Sequence, residues 1–267
     1  MSTNYFCSGF DINNAFWKEL SDRFKSELKD TKSIVYIPGG INKIEKAKSK
    51  YVPIFNEHFK KSGINFEEFH LITNETTNAK ELIDNASFVM LMGGDPFAQK
   101  ELCEELDIID NLKNFDGVLL GMSAGAMLMS KYIIITPCSE EYPDFHIEPG
   151  LNLSNISVYP HNNFDGNEYP ETVDLGDEVY KREDLITVSK QYGDFYLLQD
   201  HVTDENTTNV SLIRTHNDEI EFLTARTASA LRTSERRIHF GFCLIHASRI
   251  SVYEAILLVF IETISLW

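Results

Sequence analysis

One serine stands between two glycines in GVLLGMSAGAMLMSK (Gly117 to Lys131), where an apolar run gives way to small and Met-rich residues at helical spacing. A hydroxyl held in a tight turn between strand and helix is the arrangement that makes a nucleophile. The turn lifts Ser123 out of the strand, and Gly121 and Gly125 let strand and helix close up without a Cβ between them. The helix that starts there offers a positive N-terminal dipole, and the Ala124 amide can donate to an oxyanion. The alternative is a serine that only serves the turn, so other residues must supply a base.

Eight histidines are available. His58 and His70 fall on ordinary periodic elements, His216 in a hairpin turn, and His239 and His246 in an atypical final stretch. His146 and His161 lie downstream of the serine in a loop-rich region, where catalytic groups are commonly held. In SVYPHNNF, His161 follows a β-branched run and Pro160, which places it at a strand end. His201 is a further candidate, beside Asp200. Cys7, Cys103, Cys138 and Cys243 are scattered without a CxxC pair, so neither a zinc site nor a disulfide framework is expected. No metal or organic cofactor is implied.

The elements that must position these groups alternate along the first half. NYFCSGF reads as a short strand ending in a Ser-Gly turn, and Phe16 to Leu28 as a helix with apolar residues at four-residue spacing. SIVYIPGG is a buried strand stopped by Pro38-Gly39-Gly40, followed by a basic-faced helix from Lys43 to Ser62. Asn65 to Leu71 is a strand, Asn78 to Asn85 a helix, SFVMLMGG a strand, Pro96 to Leu112 a helix, and Gly117 to Gly121 the strand before the serine. Apolar strands separated by helices predict an α/β sandwich with a mainly parallel sheet covered on both faces. Active crevices in such sheets open at the carboxyl ends of the strands, so Ser8-Gly9, Gly93-Gly94 and Gly121 should converge on one rim. Ser139 to Glu183 reads as acidic and loop-rich. ITVS, FYLLQ, NVSLIR and EIEFLT then read as short strands, the last two forming a hairpin.

In order along the chain, YFCSGF, SIVYIPGG, MGGDPFAQ, GMSAGAM and YPH resemble the peptidase E and cyanophycinase family of serine peptidases, on the class I glutamine amidotransferase-like, flavodoxin-like fold. The likeness runs from about Asn4 to Thr224. It implies Ser123 as nucleophile, His161 as general base, and an oxyanion hole from the backbone amides of Gly94 and Ala124. The family's third triad member is a Glu on a later strand. Asp200, in FYLLQDHV, is the best positional match, with Glu140 and Glu141 as alternatives. Arg182, in KREDLI, matches an arginine that binds acidic substrate side chains in the aspartyl dipeptidase members, which would favour peptides with an N-terminal Asp. Its competing reading is a surface arginine paired with Glu183 or Asp184. One departure stands out: Asp95-Pro96-Phe97 replaces the family's usual Asn-Thr-Phe, removing an amide donor and adding a charge beside the site.

At 267 residues the chain can bury a sizeable core, and 43% hydrophobic with 24% charged residues is ordinary globular composition. A formal charge of −17 argues against nucleic acid or an anionic membrane as partner. No signal peptide and no membrane span is expected, which makes the cytoplasm the default location. The expected partner is a short peptide substrate, with a homodimer as a candidate assembly. Residues 1–225 read as the α/β domain. Residues 226–267 change composition, with five arginines and no Lys, Asn or Asp; they are either an added helical segment or not native. The leading function is a serine peptidase acting on dipeptides or short peptides. The alternative is an altered glutamine amidotransferase-like domain used for binding or regulation, which Asp95-Pro96 and the change from the family's Glu to Asp200 would favour. An α/β-hydrolase esterase fits the serine turn but not the order of its partners, and a glutaminase of this fold would need Cys where Ser123 stands.

Overall fold

Strands that are apolar on both faces need a helical layer on each side, and the helices between them supply it. In a computed structural model of the chain, residues 2–10, 16–135, 146–160, 172–174, 179–181, 194–198, 210–217 and 219–225 are described. The chain divides into two units, Met1–Thr233 and Ser234–Trp267, and every described residue belongs to the first. The atypical stretch from Arg226 onward lies outside the described residues.

β1 (Thr3–Cys7) leads through α1 (Lys18–Glu27) to β2 (Ser33–Gly39). A 3₁₀ turn (Ile41–Lys43), the short α2 (Ile44–Lys46), a π turn (Ala47–Tyr51) and α3 (Val52–Lys61) follow. Next come β3 (Glu68–Leu71), α4 (Ala79–Asp84), β4 (Phe88–Gly94), α5 (Pro96–Glu105), α6 (Ile109–Asn114), β5 (Val118–Met122) and α7 (Ala124–Met129). The second half holds β6 (Tyr132–Ile135), β7 (His146–Pro149), β8 (Ile156–Tyr159), β9 (Thr172–Asp174), β10 (Val179–Lys181), β11 (Asp194–Leu197), β12 (Val210–His216) and β13 (Glu219–Ala225).

Seven strands form the central sheet in the order β13-β12-β1-β5-β4-β2-β3. The five from β1 to β3 in that order are parallel, while β12 runs antiparallel to β1 and β13 to β12. Alternate residues enter opposite layers. Phe6, Val35, Val89, Leu91 and Leu119 pack in one core with Ile83, Cys103, Leu112 and Leu128 of α4 to α7. Tyr5, Tyr36, Phe88, Met90 and Leu120 pack in the other with Leu20 and Phe24 of α1 and Phe55 and Phe59 of α3. This is the three-layer α/β sandwich expected from the alternation. On the α1 side Arg214 Nε donates to Glu27 Oε1 at 2.7 Å, and the Tyr5 hydroxyl donates to Glu27 Oε2. Burial and the Glu27 carboxylate push the Tyr5 phenol well above its ordinary pKa. Arg23 holds Glu221 of β13 with two bonds of 2.8 and 2.7 Å.

Three expectations are corrected. The single helix predicted over Pro96 to Leu112 is two, because Asp107 takes φ 53°, a left-handed step that no α-helix passes through. The helix predicted from Lys43 to Ser62 opens with 3₁₀ and π turns. Pro53, in the first turn of α3, would crowd the carbonyl of Ser49 in a regular α-helix, and the wider turn sits at that point. The loop-rich stretch also holds β7 to β10. Its two described prolines stand at strand ends: Pro149 closes β7, and Pro160 follows β8, where no interior ladder bond is lost. The hairpin of β12 and β13 is as predicted, turning at Asn217 with φ 48°. ITVS lies outside the described residues.

Candidate active site

Ser123 occupies the step from β5 to α7 with φ 51° and ψ −114°. Of the four described non-glycine residues at positive φ, the other three are Asp107, Asn152 and Asn217, types whose short polar side chains tolerate it. For serine this is strained backbone, which persists only where its surroundings enforce it. The Ser123 N–H donates to Cys7 O at 2.8 Å, and Met127 N–H returns to Ser123 O at 3.1 Å. Both flanking glycines are obligatory. A Cβ on Gly125 would lie 2.1 Å from Leu91 O, and one on Gly121 would lie 2.6 Å from Gly125 O. Helix α7 therefore rests backbone against backbone on β4 and β5.

The predicted convergence of strand ends is present. β5 lies between β1 and β4, with Cys7 opposite Met122 and Leu91 opposite Gly121. Gly93 comes so close that its Cβ would sit 3.5 Å from Ser123 Cβ. Gly94 has φ 153° and packs on Gly39, where a Cβ would meet Gly39 O at 2.5 Å. Asp95 N–H donates to Gly39 O at 3.1 Å. The bond from this loop to Gly39 O is thus made by the amide that follows Gly94. In α7 the first intrahelical bond is that of Met127, so the Ala124 amide has no acceptor within its own helix. With only six residues, α7 contributes these amides rather than much of a dipole.

The Asp95-Pro96 departure has a structural explanation. Asp95 is the N-cap of α5: its Oδ1 accepts from Phe97 N–H at 2.8 Å and Ala98 N–H at 3.0 Å. Pro96 fills the first helical position, where an N–H would have no helical partner. The pair thus builds a helix start, and its carboxylate is engaged by α5. Asp95→Ala should cost about 1 kcal/mol in a urea melt, the usual loss of an N-cap.

Four histidines are described. His58 is buried in α3, edge-on to Phe16 and Phe55, and belongs to the core. His70 sits 3.0 Å from Glu68 on the edge strand, and His216 Nδ1 lies 3.1 Å from Thr3 Oγ1. His146 is exposed on β7, edge-on to Phe97. His161, Asp200, Arg182, Glu140 and Glu141 lie outside the described residues. The strands that lead to two of them are described: β8 and β11 pair in parallel with Tyr159 opposite Leu197. Cys103 is no stand-in nucleophile, since burial, aided by Glu104, pushes its thiol up to about 12 and keeps it protonated. Among the described residues no group of His, Cys, Asp and Glu could hold a metal ion. The sequence reading missed a role for Gln99, quoted only within MGGDPFAQ; it is fully buried behind the glycine pair, and no local pattern marks it.

The model of Peptidase family S51 matches residues 7–192, well over half of the chain. The chain belongs to peptidase family S51. It is accordingly a serine-type peptidase, and the resemblance read from the ordered motifs holds at family level. No curated protein matches this S51 chain. Its fold is similar to the crystal structure of a peptidase from an acI-B1 Actinobacterium, with TM-score 0.54 and 16% identity over 84% of this chain and 88% of that one. It is also similar to a structure named as peptidase E from Listeria monocytogenes EGD-e, with TM-score 0.54 and 17% identity over 85% of this chain and 98% of the other. At such identities the likeness carries the fold alone.

Proposed function

We propose that this S51 peptidase hydrolyses dipeptides or short peptides through an acyl-enzyme on Ser123, with the strained backbone of Ser123 between Gly121 and Gly125 as the observation that carries the reading. The hydroxyl attacks the scissile carbonyl while His161 takes its proton, and His161 then returns that proton to the leaving amine. Water attacks the resulting ester with the same base. The Gly94 and Ala124 amides hold the oxyanion, a contribution of about 10²- to 10³-fold for each donor. The acid that orients His161 is Asp200, with Glu140 and Glu141 as the alternatives. In favour of Asp200, His161 and Asp200 follow closely on the ends of two neighbouring parallel strands in register.

For specificity we take Arg182 as the group that binds an acidic N-terminal side chain. Only three arginines precede residue 226, and the other two, Arg23 and Arg214, are engaged in ion pairs with Glu221 and Glu27. Of the two features that favour the binding-module alternative, Asp95-Pro96 is accounted for by the capping of α5, and Asp200 lies outside the described residues. The test is intact-mass analysis after exposure to a small fluorophosphonate, beside a dipeptide panel. A single adduct and turnover of N-terminal Asp dipeptides are expected, with KM raised about tenfold or more in Arg182→Ala at nearly unchanged kcat. A folded parent chain that takes no adduct would sink the mechanism, and equal turnover of neutral dipeptides would sink the specificity.

A further inference from the structure

Pro38 has no N–H, and the pairing of β2 with β4 slips by one residue between Ile37–Leu91 and Gly39–Gly94. Such a bulge interrupts the ladder beside the candidate site, and Pro38 O there takes a main-chain bond from Gly40 N–H at 2.8 Å. Gln99, wholly buried one turn into α5, sets its side-chain amide against carbonyls of both strands at the bulge. Its Nε2 lies 2.9 Å from Ile37 O, 3.2 Å from Pro38 O and 3.2 Å from Met92 O. Its Oε1 is buried without a partner among the described residues, so the side chain is held by its donors alone. An aliphatic residue would have filled the space without that orphan oxygen, so the donors are what the position requires.

Directly beyond these carbonyls lie Gly39 and Gly94, packed backbone on backbone, with the Asp95 amide bonded to Gly39 O at 3.1 Å. We propose that Gln99 is a positioning residue: it holds the bulge closed and thereby fixes the direction of the Gly94 amide that faces the substrate oxyanion. The inference rests on the reading of Gly94 as an oxyanion donor given above.

The test uses the full chain and two variants, Gln99→Met, which keeps length without donors, and Gln99→Glu, which keeps one donor while its carboxyl stays protonated. The first readout is the exchange rate of the Asp95 amide, bonded to Gly39 O, and the Gly94 amide resonance, with Leu120 of β5 as internal reference. The second is the rate of Ser123 phosphonylation by a small fluorophosphonate across pH. In Gln99→Met, Asp95 should exchange about tenfold faster or more and Gly94 should shift, with Leu120 unmoved. The plateau phosphonylation rate should fall by about 10- to 100-fold while its pH midpoint, set by the base, stays in place. Gln99→Glu should recover part of both effects at low pH and lose them as its carboxyl ionises, which keeps the test available should Gln99→Met not fold. Unmoved Gly94 and Asp95 amides overturn the inference whatever Ser123 does. Moved amides with an unchanged plateau also overturn it, by removing Gly94 from the oxyanion hole. A parent chain that takes no phosphonate defeats the Ser123 mechanism instead, and the amides alone then decide for or against Gln99.

Discussion

Ser123→Ala should lower kcat/KM by about 10⁴- to 10⁶-fold, the range seen when a triad nucleophile is removed and only binding and the oxyanion hole remain. The fold should be retained, because alanine carries the same Cβ through the same backbone step and the contacts with Cys7 and Met127 are main-chain. Ser123→Gly should be equally inactive yet more stable, by about 1 kcal/mol, since glycine adopts φ 51° and ψ −114° without strain. A dipeptidase assay and thermal melts of the three chains check both points. Substantial turnover in either variant would remove Ser123 from the mechanism. Equal stability of the alanine and glycine variants would mean that the turn stores no strain.

Gly125→Ala should be the most damaging small substitution in the site, with a stability loss of at least about 3 kcal/mol or failure to fold. Its methyl would fall 2.1 Å from Leu91 O and 2.6 Å from Leu91 C, both main-chain atoms of a central strand that cannot swing aside. Burying one methyl returns only about 0.8 kcal/mol, far short of the displacement of α7 from β4. Gly93→Ala provides the contrast. Its methyl would meet Ser123 Cβ at 3.5 Å and Met122 Cε at 3.6 Å, ordinary contact distances. That variant should keep its stability to within about 1 kcal/mol and still lose activity, because the added methyl stands on the rim beside Ser123. Urea melts and activity assays of the two variants separate these effects. Comparable stability losses in both would contradict the packing described for the turn.

Much of the candidate site was legible in short local patterns. Gly-Met-Ser-Ala-Gly after an apolar strand states its own geometry, because few residue types other than glycine fit where a strand and helix touch through their backbones. The parallel sheet was legible for a similar reason: strands buried on both faces have no polar alternation, and the intervening helices set the order. Asp95 was readable in two ways. Its charge beside the glycine pair suggested a damaged oxyanion hole, whereas Asp-Pro is also a helix start, and only the placement of Oδ1 on the Phe97 and Ala98 amides separates the two.

By itself the sequence determined the strands, their glycine-marked ends and the Ser123 turn, because each depends on residues within a few positions of one another. Tertiary structure alone decided the break at Asp107, the bulge between β2 and β4, and the place of Gln99. Gln99 meets Ile37 and Pro38 from more than sixty positions away along the chain. Its role arises where the register of β2 and β4 shifts, and the donor there comes from whichever side chain the packing of α5 brings to those carbonyls.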